Sequence, residues 1–277
     1  MGPERLLGPN PPRVLVVVAH QDDETIGAGA LISRLPDCWL LHLTDGAARE
    51  SRFVEGFSGT REEYAAVRWH ELAAALRLAG VRPERQQQVE GVVDQEACLA
   101  MPRLAREIVR LCRELRPGVV LTLAYEGGHP DHDATAFAVR AATELLRREG
   151  DDVPEILEMP LYHARPGTTR GDDLIKQEFL PPPYDNGSIG AIQQPLSSSE
   201  QDLKRRMCDC FTTQRHILAW FLPPVHETFR RAPAYDFTQP PHVGALQYEL
   251  WSFPVTGERW RELARQASEE LGLEGGS

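Results

Sequence analysis

The chain has 277 residues, 42% hydrophobic and 26% charged, an ordinary globular composition with material for one large α/β domain or one domain plus extensions. A net charge of −11 excludes the basic stripe that a nucleic-acid surface needs. No apolar run approaches the roughly 20 residues of a membrane span, and the start, MGPERLLGPNPPR, has no signal-peptide core and carries Leu6 where a myristoylation signal takes Ser or Thr, so the expected location is the cytoplasm.

Residues 14–19 form an unbroken apolar run after Pro11-Pro12, the pattern of a strand buried on both faces of a parallel sheet. The run breaks into His20-Gln21-Asp22-Asp23-Glu24, where four residues able to bind metal or move protons fall within five positions. Open α/β sheets place their ligands at such strand ends. A helix through Ile26, Leu31 and Leu35 follows, then a second strand at 38–43 that closes in the polar turn Thr44-Asp45-Gly46. Residues 47–60 read as a loop carrying Arg49, Arg52 and Glu55, and 61–80 as a helix stopped by Gly80. A short strand is expected around 86–89. Met101, Leu104, Ala105, Ile108, Leu111, Cys112 and Leu115 repeat at three and four, an amphipathic helix. Residues 119–123 (VVLTL) are then a buried strand, 124–133 (AYEGGHPDHD) a second polar burst, and Ala134, Phe137, Ala138, Ala141, Ala142 and Leu145 one face of a further helix. This repeated order predicts a single doubly wound, mostly parallel sheet of the Rossmann-like α/β class, flanked by helices.

The pattern loosens after Gly150 into a C-terminal elaboration. A strand is expected at 155–163, near a sheet edge because of Pro160. Residues 181–190 read as a loop, 199–220 as a long helix capped by Ser198 or Ser199, and 223–241 as a loop carrying His226 and Glu227. A short strand at 247–253 and a closing helix at 258–271 complete the chain. With no flexible linker between the halves, one domain is expected, its core about 13–165 and its extension about 166–277 packed on that core.

Both polar bursts follow predicted parallel strands, so the fold brings them to one edge of the sheet. Together they supply His20, Asp22, Asp23, His129, Asp131 and His132. A catalytic zinc site takes three His or carboxylate ligands and leaves one position for water. One His and one Asp from the first burst with one His from the second meet that count, leaving an acid and a His for proton transfer.

His20-Gln21-Asp22-Asp23-Glu24 resembles the H-x-D-D-E signature of the LmbE-like, or PIG-L-like, zinc deacetylases, and Gly128-His129-Pro130-Asp131-His132 matches their G-H-P-D-H signature. The resemblance runs from about Val14 through Val139. It implies that His20, Asp23 and His132 hold zinc, that Asp22 is the general base, and that His129 stabilises the tetrahedral intermediate or protonates the leaving amine, oriented by Asp131. It implies removal of an acetyl group from an N-acetylglucosamine unit, and a small-molecule amino-sugar or glycoconjugate partner. Arg68 resembles a family arginine that contacts substrate. Gln21 replaces the usual proline. The tyrosine that some members place two residues before the second signature's histidine is here Gly127; Tyr125 stands two residues earlier and is left outside the expected site. His/Asp ligation also accepts iron or manganese.

Blander roles are expected elsewhere. Glu24 reads as a helix-start acid, His42 as a core residue, and His70 as a solvated one. Gly27 and Gly29 read as packing positions, since Ile32 occupies the third place of a dinucleotide fingerprint. Trp220, Trp251 and Trp260 read as packing residues, and nothing singles out His163, His216, His226 or His242 for the pocket. Five scattered cysteines make no disulfide framework. The rival readings are a non-catalytic carbohydrate-binding protein of the same fold and a Rossmann-type NAD-dependent oxidoreductase; every expected ligand and base is present against the first, and the incomplete glycine pattern stands against the second.

Overall fold

The computed structural model describes residues 2–54, 57–185 and 190–273. Glu55, expected in the first loop, and 186–189, in the later one, lie outside the described residues. In chain order the elements are α1 (Glu4–Leu7), β1 (Val14–Val18), α2 (Asp23–Arg34), β2 (Cys38–His42), α3 (Arg61–Leu78), β3 (Gln86–Gln88), α4 (Met101–Leu115), β4 (Val119–Leu123), α5 (Pro130–Glu149) and β5 (Glu155–Met159). There follow β6 (Tyr162–Ala164), β7 (Leu174–Lys176), β8 (Ile192–Pro195), α6 (Ser198–Asp209), α7 (Arg215–Leu218), β9 (His226–Arg231), α8 (Gln247–Leu250) and α9 (Gly257–Glu270).

Among the described residues, seven strands form one sheet in the order β3-β2-β1-β4-β5-β9-β8, and β6 with β7 forms a small antiparallel ladder. The five strands β1 to β5 run parallel. From β1 the sheet grows one way through β2 and β3 and the other way through β4 and β5, so the switch point lies between β1 and β4. Alternate strand residues feed opposite faces. Leu15, Val17, Leu41 and Val120 join a core with Leu104, Ile108, Phe137 and Trp260 of α4, α5 and α9. Val14, Val16, Val18, Leu40 and Leu121 join the other with Leu31, Leu72 and Met207 of α2, α3 and α6. Each such side chain contributes about 1.5–3 kcal/mol on burial, and a one-residue slip would exchange the two faces.

The second half departs from expectation in four places. β5 is interior, paired to β4 and β9; Pro160 ends it rather than placing it at an edge. The expected loop at 223–241 contains β9, antiparallel to both β5 and β8. Two of its charged residues are buried in pairs: Arg230 Nε donates to Glu158 at 2.6 Å, and Glu227 accepts from Lys204 Nζ at 2.9 Å. The expected 199–220 helix stops at Asp209, capped by Ser197 rather than Ser198 or Ser199. Thr212 and Thr213 turn away to bond the Glu71 carboxylate through both hydroxyls and the Thr213 N–H, competing with the helix. Finally, 247–250 is helical where a strand was expected. Glu249 accepts the Leu246 N–H at 2.8 Å, a helix-start bond that outweighs the alternating pattern.

Helix α2 is broken internally at Ala28 (φ −146, ψ 20). The freed N–H groups of Ala30 and Leu31 donate to Glu227 of β9 at 2.8 and 2.9 Å. A side chain at Gly27 would meet Met159 Sδ at 2.3 Å, so this glycine lets the kinked helix lie on β5.

Candidate active site

Because β1 and β4 are neighbours in register, with Val14 opposite Val119 and Val16 opposite Leu121, the turns that follow them lie side by side. His20, Asp22 and Asp23 come from the first turn, His129, Asp131 and His132 from the second, and all six are buried. The ring centres of His20 lie 4.5 Å from His129 and 5.3 Å from His132. Asp23 stands between the two outer imidazoles, 3.4 Å from His20 Nδ1 and 3.2 Å from His132 Nε2, and accepts the His20 backbone N–H at 2.8 Å. Against burial, which would raise it, His132 and His20 hold the Asp23 carboxyl well below its ordinary value. The expected ligand set is thus adjacent in space.

Asp22 caps α2 at φ 155, ψ −24, a conformation L residues rarely adopt and one that costs about 1–3 kcal/mol. Its N–H donates to Glu24 Oε2 at 3.1 Å. Glu24 is fully buried, accepting the Thr25 hydroxyl at 2.6 Å and lying 3.2 Å from His42 Nε2, so it is an inward-facing clasp as well as a helix-start acid. The Asp22 carboxylate lies 3.4 Å from Arg68 Nη2. Burial, offset in part by Arg68, lifts the Asp22 carboxyl to about 7. Arg68 lines the cavity but directs its donors to the carbonyls of Gln21 and Gly46, at 2.9 and 3.2 Å. Gln21 stiffens this loop by donating to the Thr44 carbonyl and Gln88 Oε1.

His129 caps α5, its Nδ1 accepting the Asp131 N–H at 3.1 Å. Gly128 before it is set by close approach: a Cβ there would meet the Tyr162 carbonyl oxygen at 1.9 Å. The expected Asp131–His129 pairing takes a different form. The backbone of Asp131 orients His129, while its carboxylate accepts N–H groups of Gln95 and Ala97 at 2.6 and 3.0 Å and lies 3.2 Å from His20 Nε2. The first turn of α5 aims that side chain across the switch point, away from its own cap residue. Burial, reinforced by His20 and His132, holds the His129 imidazole well below its ordinary value.

His20, Asp22, Asp23, Arg68, His129 and His132 line a cavity of about 350 Å³. Asp94, not singled out from the sequence, lies 3.1 Å from His20 Nε2. Against burial, His20 depresses it to about 2. Its signal was an acid following the third predicted strand, at the same sheet edge. Trp220 and Trp251, expected to be packing residues, also line the cavity, as do Phe53, Tyr162, His216 and Phe253. Trp260 does pack, buried against Tyr125 and donating to the Pro130 carbonyl. The Tyr125 hydroxyl donates to the Gln239 carbonyl at 2.8 Å, outside the cavity lining. His42 is buried and His70 exposed, as expected.

The residues fit a divalent cation. Among the described residues, donor atoms of His20, His129 and His132, and again of His20, Asp94 and Asp131, lie within 4.8 Å of one another; the first group shares His20 and His132 with the expected set and has His129 in place of Asp23. His132 Nδ1 is buried with no hydrogen-bond partner. Burial alone would lower the His20 imidazole, yet Asp94, Asp23 and Asp131 raise it well above its ordinary value. A pocket that stabilises positive charge in this way suits a cation with imidazole and carboxylate ligands.

The PIG-L family, described as GlcNAc-PI de-N-acetylase, matches residues 15–143, a stretch that spans both polar bursts. A 1D-myo-inositol 2-acetamido-2-deoxy-alpha-D-glucopyranoside deacetylase from Mycobacterium leprae (strain Br4923) is 32% identical over 238 residues, 67% of this chain and 75% of that protein. Among solved structures, the A40926 pseudoaglycone deacetylase superposes with a TM-score of 0.59 at 19% identity, over 81% of this chain and 99% of that one. A 4-carboxy-2-hydroxymuconate hydratase from Pseudomonas putida KT2440 superposes with a TM-score of 0.50 at 18% identity, over 76% and 82%. Those two likenesses are of fold, and one fold there serves two reactions. The sequence match across both signatures is what decides: this chain belongs to the PIG-L family of de-N-acetylases.

Proposed function

We propose that this chain is a metal-dependent amide hydrolase that removes an N-acetyl group from an amino sugar or GlcNAc-containing glycoconjugate, yielding acetate and a free amine. The observation that carries the reading is one cavity holding the donor set His20, Asp23 and His132 beside the buried Asp22 carboxyl. His20, Asp23 and His132 would hold the cation, zinc in the first instance, though the same donors accept iron or manganese. When bound, the cation supplies a Lewis acid for the amide carbonyl and lowers the pKa of water to about 7.

Asp22, buried in the same cavity and held by Arg68, is placed to take a proton from the attacking water and to return it to the leaving nitrogen. His129 Nδ1 accepts a backbone N–H, which assigns the proton of the neutral ring to Nε2. That N–H serves as donor to the carbonyl oxygen as negative charge grows on it. The Asp131 carboxylate, against His20 Nε2, fixes the orientation of that imidazole. Arg68 holds Asp22 in place and stands beside the substrate. Five free thiols suit a reducing compartment, the cytoplasm, and no helix among the described residues is long and apolar enough to cross a membrane.

Asp22→Asn should lower kcat by about 10²–10⁴-fold while metal content, read by elemental analysis, stays at the parental level. His132→Ala should lose the metal. Equal metal loss in both variants would overturn the division between base and ligands.

A further inference from the structure

The cavity has two unlike walls. The inner wall is the polar cluster already described. The outer wall is aromatic and runs from the catalytic histidine to solvent as a chain of ring contacts. Phe253 lies 5.0 Å from His129 and 4.8 Å from Phe53; Trp251 lies 6.1 Å from Phe253 and 5.8 Å from Trp220. Trp220, at the outer end, is 38% exposed, unusual for so large an apolar side chain.

Several polar groups along this wall are engaged within the protein. The Trp251 indole N–H donates to the Gly171 carbonyl at 3.1 Å, leaving its ring as the cavity-facing surface. The Gln214 amide donates to the Tyr64 hydroxyl at 2.7 Å. Arg52 donates to Glu50 at 2.7 Å and to the Ser252 carbonyl, with its guanidinium 4.6 Å above Phe53. His216 is the polar ring at the rim, and the Trp220 indole N–H and the Tyr162 hydroxyl are the other polar groups left at the edges of this wall.

The acetamido group must reach the inner wall for its carbonyl to meet His129, so whatever hangs from the sugar extends along the outer one. A polyol lying against the ring faces would give up bonds to water that those faces do not replace, a cost for each hydroxyl left desolvated. A flat apolar ring would gain stacking and buried area with nothing left unpaired. At about 350 Å³ the cavity is at the small end of ligand pockets, room for one sugar and one modest substituent.

We propose that the substrate is an N-acetylated amino sugar whose anomeric substituent is an apolar, ring-bearing group, and that Trp220 and Trp251 determine this specificity. The inference rests on the deacetylase reading above and narrows it.

The test uses the metal-loaded full chain and follows acetate release from N-acetylglucosamine, its phenyl glycoside and its inositol glycoside. The phenyl glycoside should have a kcat/KM about tenfold or more above the other two, the scale on which an apolar contact discriminates. Trp220→Ala and Trp251→Ala should each bring that ratio toward one, and Trp220→Phe, which keeps a ring on the wall, should largely restore it. Leu99→Ala, at an exposed position outside the cavity lining, should leave the ratio where it was. Equal turnover of the inositol or unsubstituted sugar, or a ratio unmoved by both tryptophan variants, would overturn the aglycone preference while leaving the deacetylase reading intact. Failure of all three compounds to release acetate would instead overturn the deacetylase reading, and this inference with it.

Discussion

At the scale of single residues, the strained backbone of Asp22 is the feature on which the chemistry turns. A base on an ordinary helix cap would point along the helix; at φ 155 the Asp22 carboxylate shares the cavity with Asp23 and His129. Glu24 holds that conformation by accepting the Asp22 N–H, and His42 and Thr25 hold Glu24. Alanine at 24 removes both acceptor oxygens, so the Asp22 N–H and the Thr25 hydroxyl lose their partner. Glu24→Ala should therefore lower kcat by about 10–100-fold, the effect of a small misplacement of a reacting group. KM should stay within about twofold, with metal content retained. Unchanged kcat in steady-state assays would reduce Glu24 to the helix-start acid its sequence position suggests. Most of the inner site was legible in the sequence because its residues arrive as two contiguous bursts. Asp94, the His216 and Trp220 pair on and just after α7, and the Trp251 and Phe253 pair after α8 come from three short separate segments, without local periodicity or spacing to mark them.

At the scale of elements, the break in α2 and the placement of β9 are one device. Glu227 accepts the two amides freed at the kink and also holds Lys204, buried on α6. Breaking a buried pair from one side leaves an uncompensated charge and costs about 3–5 kcal/mol. Glu227→Ala should lower the unfolding free energy by about that amount in a urea titration. Adding Lys204→Met should recover only part of it, since the Ala30 and Leu31 N–H groups stay unpartnered at about 1–3 kcal/mol each. Full recovery in the double variant would show that the kink does not depend on Glu227. The same device explains why β9 reads as a loop. HETFRR carries no apolar alternation, and Glu227 and Arg230 are buried only because partners on α2, α6 and β5 meet them.

At the scale of the whole molecule, the sheet edge concentrates buried acids, and stability should depend on pH accordingly. Burial lifts Asp133 from 3.8 to about 8, opposed by N–H bonds from Gly127 and Glu126. The folded chain keeps this proton where the unfolded chain releases it, so the stability it contributes is full at low pH and is lost as pH rises from about 4 through 8. Asp133→Asn should flatten the fall in Tm across that window in a pH series of calorimetric melts; an unchanged slope would refute this assignment. What the sequence by itself determined is the doubly wound parallel order and a metal-type donor set at one sheet edge. Apolar runs, helical periodicity and contiguous motifs are properties of chain neighbours. What only the tertiary structure decided is which groups meet across the chain: the Asp131 carboxylate against His20, 111 residues away, the seating of β8 and β9 on the parallel sheet, and the aromatic wall over the cavity. Those contacts are set by packing between elements distant in the chain, and no local pattern of residues encodes them.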